Sequence, residues 1–85
     1  MTAKVLMYSS RICPYCRMAE RLLEQKGVRA EKVMVDEEPA RREEMVRRAG
    51  RTSVPQIFIG ETHVGGYTDL ADLERAGRLD ALLKL

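Results

Sequence analysis

The sequence has no tryptophan, one histidine and only two cysteines, Cys13 and Cys16, which lie three positions apart. A disulfide between cysteines this close constrains the unfolded chain very little, so the pair is not a structural staple. The single histidine, His63, leaves the chain short of the four ligands that a zinc site needs, and it is assigned no role. No metal site is therefore predicted, and the two cysteines are expected to carry redox chemistry.

Neither sign of charge dominates, since 15 Lys and Arg stand against 13 Asp and Glu, for a net charge of +2. This balance does not support nucleic-acid or membrane-surface binding as a main role. The apolar runs fall far short of the roughly 20 residues that span a bilayer, and residues 1–7 lack the features of a signal peptide. We therefore expect a cytoplasmic protein with no nucleic-acid or membrane partner.

The chain contains no repeat, low-complexity tract or linker, and it has 85 residues. Hydrophobic residues make up 45% of it, which is enough for a packed interior, and the 33% of charged residues can cover the outside. A chain this short buries only about 60% of its unfolded surface, which leaves no material for a second core. We predict a single domain over residues 1–85.

Apolar spacing and turn residues predict short elements in the order strand, helix, strand, helix, hairpin, helix, helix. The predicted strands cover residues 4–8, 30–35, 56–59 and 62–64, and the helices begin near residues 14, 39, 68 and 80. A strand, helix and strand in succession form a right-handed unit with parallel strands, and the hairpin can extend the same sheet antiparallel. The prediction is an α/β fold with a mixed sheet and helices on its faces.

Two details of the helices follow from residue types. Met45, Val46 and Ala49 are expected to form the buried stripe of the second helix. Thr68 and Asp69 are good N-cap residues, so they are expected to cap the third helix.

The Cys-Pro-Tyr-Cys segment at residues 13–16 lies where the first strand gives way to the first helix. Cys13 is thereby placed at a helix N-terminus, where unpaired N–H groups and the helix dipole favour a thiolate. The thiolate is the attacking species in disulfide exchange, so Cys13 is the predicted nucleophile and Cys16, one turn further in, the predicted resolving thiol. Arg11 and Arg17 flank the pair and add positive potential, unless they are only solvated surface residues.

Three segments resemble, in this order and spacing, the signature set of the dithiol glutaredoxins: Cys-Pro-Tyr-Cys at 13–16, Thr-Ser-Val-Pro at 52–55 and Gly-Gly-Tyr-Thr-Asp-Leu at 65–70. The resemblance covers nearly the whole chain. It implies a thioredoxin fold, in which a four-stranded mixed β-sheet is flanked by helices on both faces and the Val54–Pro55 peptide is cis. It also implies a glutathione-dependent thiol–disulfide oxidoreductase.

The resemblance further implies a glutathione site beside Cys13, made of Arg11, Tyr15, Arg51, Ser53, Val54, Pro55, Gly66, Tyr67, Thr68 and Asp69. In it the backbone of Val54 pairs with the extended tripeptide as a neighbouring strand would. The N-terminus of the third helix holds the γ-glutamyl carboxylate, and Asp69 meets the ammonium group.

Arg11 and Arg51 are the groups implied for the glycyl carboxylate at the other end of the tripeptide. Tyr15 is implied to lie along the groove wall, although a helix-start aromatic can also cover the edge of a core. The sequence departs from the family pattern at Ser53, where threonine is usual, and at Tyr67, where many members have cysteine or a small residue. These departures bear on affinity and remove a possible third redox cysteine.

Glutathione is thus implied as co-substrate, with no permanently bound cofactor. The implied partners are glutathionylated or disulfide-containing proteins and, indirectly, glutathione reductase, acting on a monomer. One alternative is a thioredoxin-like reductase served by a flavoprotein reductase, although the tryptophan before its motif is missing. The other is a module that holds an iron–sulfur cluster between two protomers through Cys13 and glutathione, which the fixed geometry of Pro14 disfavours.

Overall fold

The computed structural model of this protein describes residues 3–85, so residues 1 and 2 of the predicted domain lie outside the described residues. The elements are β1 (Val5–Ser9), α1 (Pro14–Gln25), β2 (Glu31–Met34), α2 (Pro39–Ala49), β3 (Gln56–Ile59), β4 (Thr62–Gly65), α3 (Tyr67–Arg75) and α4 (Leu79–Leu83). This is the predicted order, and the predicted element bounds differ from these by a residue or two.

The four strands form one mixed sheet in the order β2–β1–β3–β4. β1 and β2 run parallel with Tyr8 opposite Val33, and β3 runs antiparallel to β1 with Met7 opposite Ile57. β4 returns antiparallel beside β3. Because α1 connects the two parallel strands, the first three elements form the predicted crossover unit.

Successive side chains of a strand point to opposite faces of the sheet, so the strands contribute to two separate cores. One core joins the sheet to α1, α3 and α4 and contains the buried residues Val5, Met7, Ala19, Leu23, Val28, Ile57, Ile59, Leu70, Leu79 and Leu83. The other lies under α2 and contains Tyr8, Val33, Val35, Met45 and Phe58. The predicted placement of helices on both faces is confirmed.

α2 buries less of its surface than the sequence pattern predicts. Met45 is fully buried and Ala49 is half-buried, but Val46 is 36% exposed. The prediction that Val46 is buried is therefore wrong. Adjacent residues of a helix are rotated by about 100°, so a helix that buries Met45 against a single sheet face turns Val46 outward.

The C-terminal end of α1 is tied to two other helices by one ammonium group. Lys26 Nζ lies 2.8 Å from a Glu74 carboxylate oxygen and 2.9 Å from one of Asp80. Both contacts raise the pKa of Lys26, the hydrogen bond to Glu74 most of all. These two ion pairs link α1, α3 and α4 on one face of the sheet.

Within the part of the chain that the structure describes, no helix combines the length and the apolar character needed to cross a bilayer.

Candidate functional site

Cys13 is the N-cap residue of α1, with an extended backbone, and Pro14 occupies the first turn, where a missing N–H is no loss. The two sulfurs are paired as a disulfide, with the Cα atoms 5.2 Å apart. The backbone N–H of Cys16 donates to Cys13 Sγ over 3.1 Å. A sulfur that receives a backbone N–H at a helix start is favoured in its negatively charged form once the disulfide is reduced.

Both cysteines are largely covered by the surrounding chain. Cys13 is 8% exposed and Cys16 only 3%, so the first sulfur is the more accessible of the two. On the far side of Cys13 the Val54–Pro55 peptide is cis, as the resemblance implies, and the Val54 carbonyl oxygen lies 3.8 Å from Cys13 Sγ. The backbone of Val54 is thus next to the first sulfur.

A groove of about 350 Å³ opens beside this contact. Nine of the ten residues predicted for glutathione line it: Tyr15, Arg51, Ser53, Val54, Pro55, Gly66, Tyr67, Thr68 and Asp69. They come from the start of α1, from the loop of residues 51–55 (the cis-proline loop) and from the start of α3. Sequence positions that are up to 54 apart therefore meet on one surface.

The start of α3 differs in detail from the prediction. Gly66 is the N-cap, Thr68 lies in the first turn, and the Asp69 carboxylate accepts the Gly66 N–H over 2.9 Å. The prediction that Thr68 or Asp69 is the N-cap is therefore wrong, because Asp69 occupies the third helical position and its carboxylate makes the capping-box contact with Gly66.

Gly65 makes this arrangement possible. Its φ of +115° lies in the region that favours glycine, and a Cβ there would come within 2.3 Å of Asp69 Oδ2. The chain passes the carboxylate too closely for any side chain at this position.

Arg51 and Asp69 are in direct contact. Arg51 Nη1 donates to Asp69 Oδ2 over 3.1 Å, and the two side chains remain 50% and 43% exposed. The Gly66 N–H, and after it the Arg51 guanidinium, lower the pKa of Asp69 below its usual value. Residues that the sequence reasoning assigned to opposite ends of glutathione thus form an ion pair in the groove.

Arg11 is the one predicted residue that does not line the groove. Its backbone N–H donates to Asp36 Oδ2 over 3.1 Å, and its Nε lies 3.6 Å from that oxygen and 3.5 Å from a Glu37 oxygen. The Arg11 N–H is the main cause that lowers the pKa of Asp36. Arg11 instead borders a small cavity of about 130 Å³ on another side of the cysteine pair, which Cys16 and Arg17 also line.

Tyr15 and Tyr67 form one wall of the groove. Their ring centroids are 6.3 Å apart, and Tyr15 is 59% exposed. Tyr15 therefore faces the groove rather than covering the edge of the core.

The sequence reasoning missed two residues behind the cis-proline loop. The Gln56 side chain is completely buried and donates to the Ser53 carbonyl oxygen over 3.0 Å, and His63 Nε2 lies 2.8 Å from Gln56 Oε1. A polar residue directly after Pro55 in an otherwise apolar strand was the available signal, because buried amides need partners.

Among residues 3–85, no three His, Cys, Asp or Glu side chains lie close enough together to hold a metal ion.

The cysteine pair lies at the start of the first helix and beside a cis proline, and the sheet has the strand order β2–β1–β3–β4. Together these features define a thioredoxin-fold protein with a dithiol–disulfide centre. Comparison with known proteins narrows the class. The family model described as Glutaredoxin matches residues 5–64. The chain belongs to the glutaredoxin family, which supports a glutathione-dependent thiol oxidoreductase.

Relatives match over nearly the full chain. The glutaredoxin of Pseudomonas aeruginosa is 56% identical over 79 residues, covering 93% of this chain and 94% of that protein. Glutaredoxin 3 of Escherichia coli is 50% identical over 82 residues, covering 96% and 99%. Among solved structures, the buckwheat glutaredoxin–glutathione complex has a TM-score of 0.89 at 28% identity, covering 96% of this chain and 77% of that one. The solution structure of glutaredoxin from Brucella melitensis has a TM-score of 0.86 at 46% identity, covering 98% and 90%.

Proposed function

We propose that this chain reduces protein–glutathione mixed disulfides and protein disulfides at the expense of glutathione, with Cys13 as nucleophile and Cys16 as resolving thiol. One observation carries the proposal: Cys13 Sγ receives a backbone N–H at the start of α1 and lies 3.8 Å from the Val54 carbonyl, beside a groove with charges of both signs. The buckwheat relative, solved as a complex with glutathione, supports glutathione as the ligand.

The reaction begins when the Cys13 thiolate attacks the glutathione-side sulfur of a mixed disulfide. The protein leaves as a thiolate, which takes up a proton, and glutathione remains bonded to Cys13. The thiolate of a second glutathione then attacks the sulfur of the bound glutathione, so that glutathione disulfide forms and Cys13 leaves as a thiolate.

Protein disulfides follow a related course in which the first step leaves the substrate bonded to Cys13. The Cys16 thiolate attacks Cys13 Sγ, releases the second substrate thiolate and closes the Cys13–Cys16 disulfide. Two glutathione molecules then reduce that disulfide in successive exchanges. The short distance between the cysteines supports this closure.

The groove residues bind glutathione as an extended strand. The Val54 backbone pairs with the peptide, and the N–H groups at the start of α3, near Gly66 and Thr68, receive the γ-glutamyl carboxylate. Asp69 meets the ammonium group, and Arg51 turns from Asp69 towards a ligand carboxylate.

Tyr15, Tyr67, Ser53 and Pro55 shape the wall and floor of the groove. Arg11 lies outside the groove and pairs with Asp36 and Glu37, whereas Arg51 already lines the groove, so the contribution of Arg11 is smaller.

The proposal extends to the setting of the reaction. The 85 residues form one domain that acts as a monomer in the cytoplasm, where a reduced glutathione pool keeps thiols available. Glutathionylated and disulfide-containing proteins are its substrates, and glutathione reductase serves it indirectly. No permanently bound cofactor is needed, because each step is an exchange between sulfurs.

The test is turnover of a small glutathione mixed disulfide and of a protein disulfide, coupled to glutathione reductase. Cys13→Ser is expected to abolish both reactions, and Cys16→Ser to keep the first and lose the second. Loss of both in Cys16→Ser would show that the roles are wrong. Turnover with thioredoxin reductase in place of glutathione would favour the thioredoxin-like alternative, and visible absorbance of a dimer purified without oxygen would favour the cluster-binding one.

A further inference from the structure

Gln56 begins β3 directly after the cis proline, and its side chain is completely buried. A buried amide must place two N–H donors and one carbonyl oxygen, and each group left without a partner is costly. Gln56 Nε2 lies 3.0 Å from the Ser53 carbonyl oxygen and 3.4 Å from Ser53 Oγ. Gln56 Oε1 lies 2.8 Å from Nε2 of His63 on β4.

These contacts fix the direction of each hydrogen bond. A backbone carbonyl only accepts, so the NH₂ group of Gln56 must face Ser53. Gln56 Oε1 then faces His63 and also only accepts, so His63 Nε2 must carry a hydrogen. His63, Gln56 and Ser53 therefore form a chain of hydrogen bonds with one polarity.

The ring of His63 also packs against an aromatic neighbour. It stacks on Phe58, with centroids 4.8 Å apart and planes inclined by 30°. Burial, and then the nearby Arg51 charge, lower the pKa of His63, against a smaller opposing effect of Asp69. A neutral ring with its hydrogen on Nε2 satisfies the Gln56 oxygen.

The Ser53 carbonyl shares a peptide plane with the Val54 N–H. In a planar trans peptide the C=O and N–H bonds point in opposite directions. Only the next peptide, Val54–Pro55, is cis among the described residues. A Ser53 carbonyl that is held by the buried Gln56 amide therefore turns the Val54 N–H away from that amide.

We infer that Gln56 and His63 are positioning residues for glutathione: His63 orients the Gln56 amide, which holds the Ser53–Val54 peptide so that the Val54 N–H faces the ligand. Neither side chain lines the groove or contacts a cysteine sulfur. The inference rests on the proposed function, because the ligand affected is glutathione.

Three variants test this chain of hydrogen bonds. Gln56→Leu keeps the approximate size of the side chain and removes its hydrogen bonds to Ser53 and His63, and His63→Leu removes the donor to Gln56. His63→Gln restores an N–H donor at the same position. Gln25→Leu is the matched control, because Gln25 is an exposed residue at the end of α1.

We expect Gln56→Leu and His63→Leu each to raise the KM for a glutathione mixed disulfide by about 3- to 10-fold, which corresponds to one hydrogen bond between Val54 and the ligand. The kcat and the rate of Cys13 alkylation by iodoacetamide should change by less than about twofold, since the first sulfur keeps its own contacts. His63→Gln should return KM to within about twofold of the unmodified protein. If Gln56→Leu fails to fold, the comparison of His63→Leu with His63→Gln decides.

A KM in Gln56→Leu and His63→Leu equal to that of Gln25→Leu, or a loss confined to kcat, would overturn the inference. So would ¹⁵N chemical shifts that put the hydrogen of the neutral His63 ring on Nδ1. Failure of the unmodified protein to turn over with glutathione would instead contradict the proposed function, so the two failures are distinguishable.

Discussion

Asp69→Asn removes one negative charge from the groove while keeping the shape of the side chain. The carboxylate accepts the Gly66 N–H over 2.9 Å and the Arg51 Nη1 hydrogen over 3.1 Å. Capping contacts of the first kind contribute about 1 kcal/mol, and the asparagine oxygen retains a weaker, neutral version. Exposed ion pairs contribute from about 0.2 to 1 kcal/mol, and solvent screening places this half-exposed pair at the lower end. We therefore expect a loss of about 0.5–1 kcal/mol, which lowers the Tm of a domain this small by about 2–8 °C.

The effect of Asp69→Asn on the unfolding free energy should depend on pH. The hydrogen bond from Gly66 and the charge of Arg51 lower the pKa of Asp69 in the folded protein. A carboxyl group whose folded pKa is depressed stabilises the fold at every pH above its unfolded pKa of about 3.9. That stabilisation is lost as the pH falls through the folded pKa. The gap in unfolding free energy between the unmodified protein and Asp69→Asn should be full at neutral pH and shrink below about pH 3.9.

Urea unfolding followed by circular dichroism at a series of pH values measures this gap. Asp72→Asn is the matched control, because Asp72 lies on the same helix and pairs with Arg75 on the exposed surface. If Asp69→Asn costs no more than Asp72→Asn at neutral pH, the role given to the carboxylate is refuted. The same follows if the gap stays constant throughout the acid range.

Two further substitutions have controls within the chain. Gly65→Ala should cost about 1–3 kcal/mol for backbone strain and also displace the Asp69 carboxylate, so it should weaken glutathione turnover. Gly77→Ala is the control, because Gly77 has φ +71° but no atom near its Cβ, and this variant should lose stability without losing turnover. Equal turnover in the two variants would contradict the conclusion that Gly65 is needed because the chain passes close to the Asp69 carboxylate. Met45→Ala should lower the free energy of unfolding by about 2–5 kcal/mol because the side chain is completely buried, whereas Val46→Ala should change it by less than about 0.5 kcal/mol. If denaturant unfolding gave similar losses of unfolding free energy for Met45→Ala and Val46→Ala, the conclusion that α2 buries Met45 and exposes Val46 would be contradicted.

The order of elements could be predicted from local signals because turn residues separate short apolar runs along the whole chain. The break at Gly50 illustrates this, since a left-handed residue ends α2 where the sequence places a glycine. The crossover rule then limits the ways in which β1, α1 and β2 can be arranged. The mixed sheet followed from these constraints together with the family resemblance, whereas the strand order β2–β1–β3–β4 required the structure.

The start of α3 shows a limit of residue preferences. Aspartate is favoured both at the N-cap and at the third helical position, so Asp69 alone does not determine where the helix begins. Gly66 was interpreted as part of a turn, and its role as the cap depends on the backbone path out of β4. Similarly, the burial of Met45 rather than Val46 depends on the rotation of α2 over the sheet.

The contacts of Arg11, Gln56 and His63 depend on residues that are distant in sequence or on another strand. Arg11 meets Asp36 across 25 positions, and no local pattern connects them. His63 reaches Gln56 because β4 folds back beside β3. The family resemblance indicated the groove residues, but the pairing of charges and amides around the groove required the folded chain.

The contact between Arg51 and Asp69 bears on selectivity among small ligands. Each charge is already neutralised by the other at 3.1 Å. An anion that binds Arg51 would leave Asp69 without its partner, and a cation that binds Asp69 would leave Arg51 without its partner. Either ligand therefore replaces one ion pair by another and gains little binding free energy. A zwitterion can replace both halves together. We therefore expect the groove, in which Arg51 and Asp69 already pair, to favour zwitterionic ligands over singly charged ones.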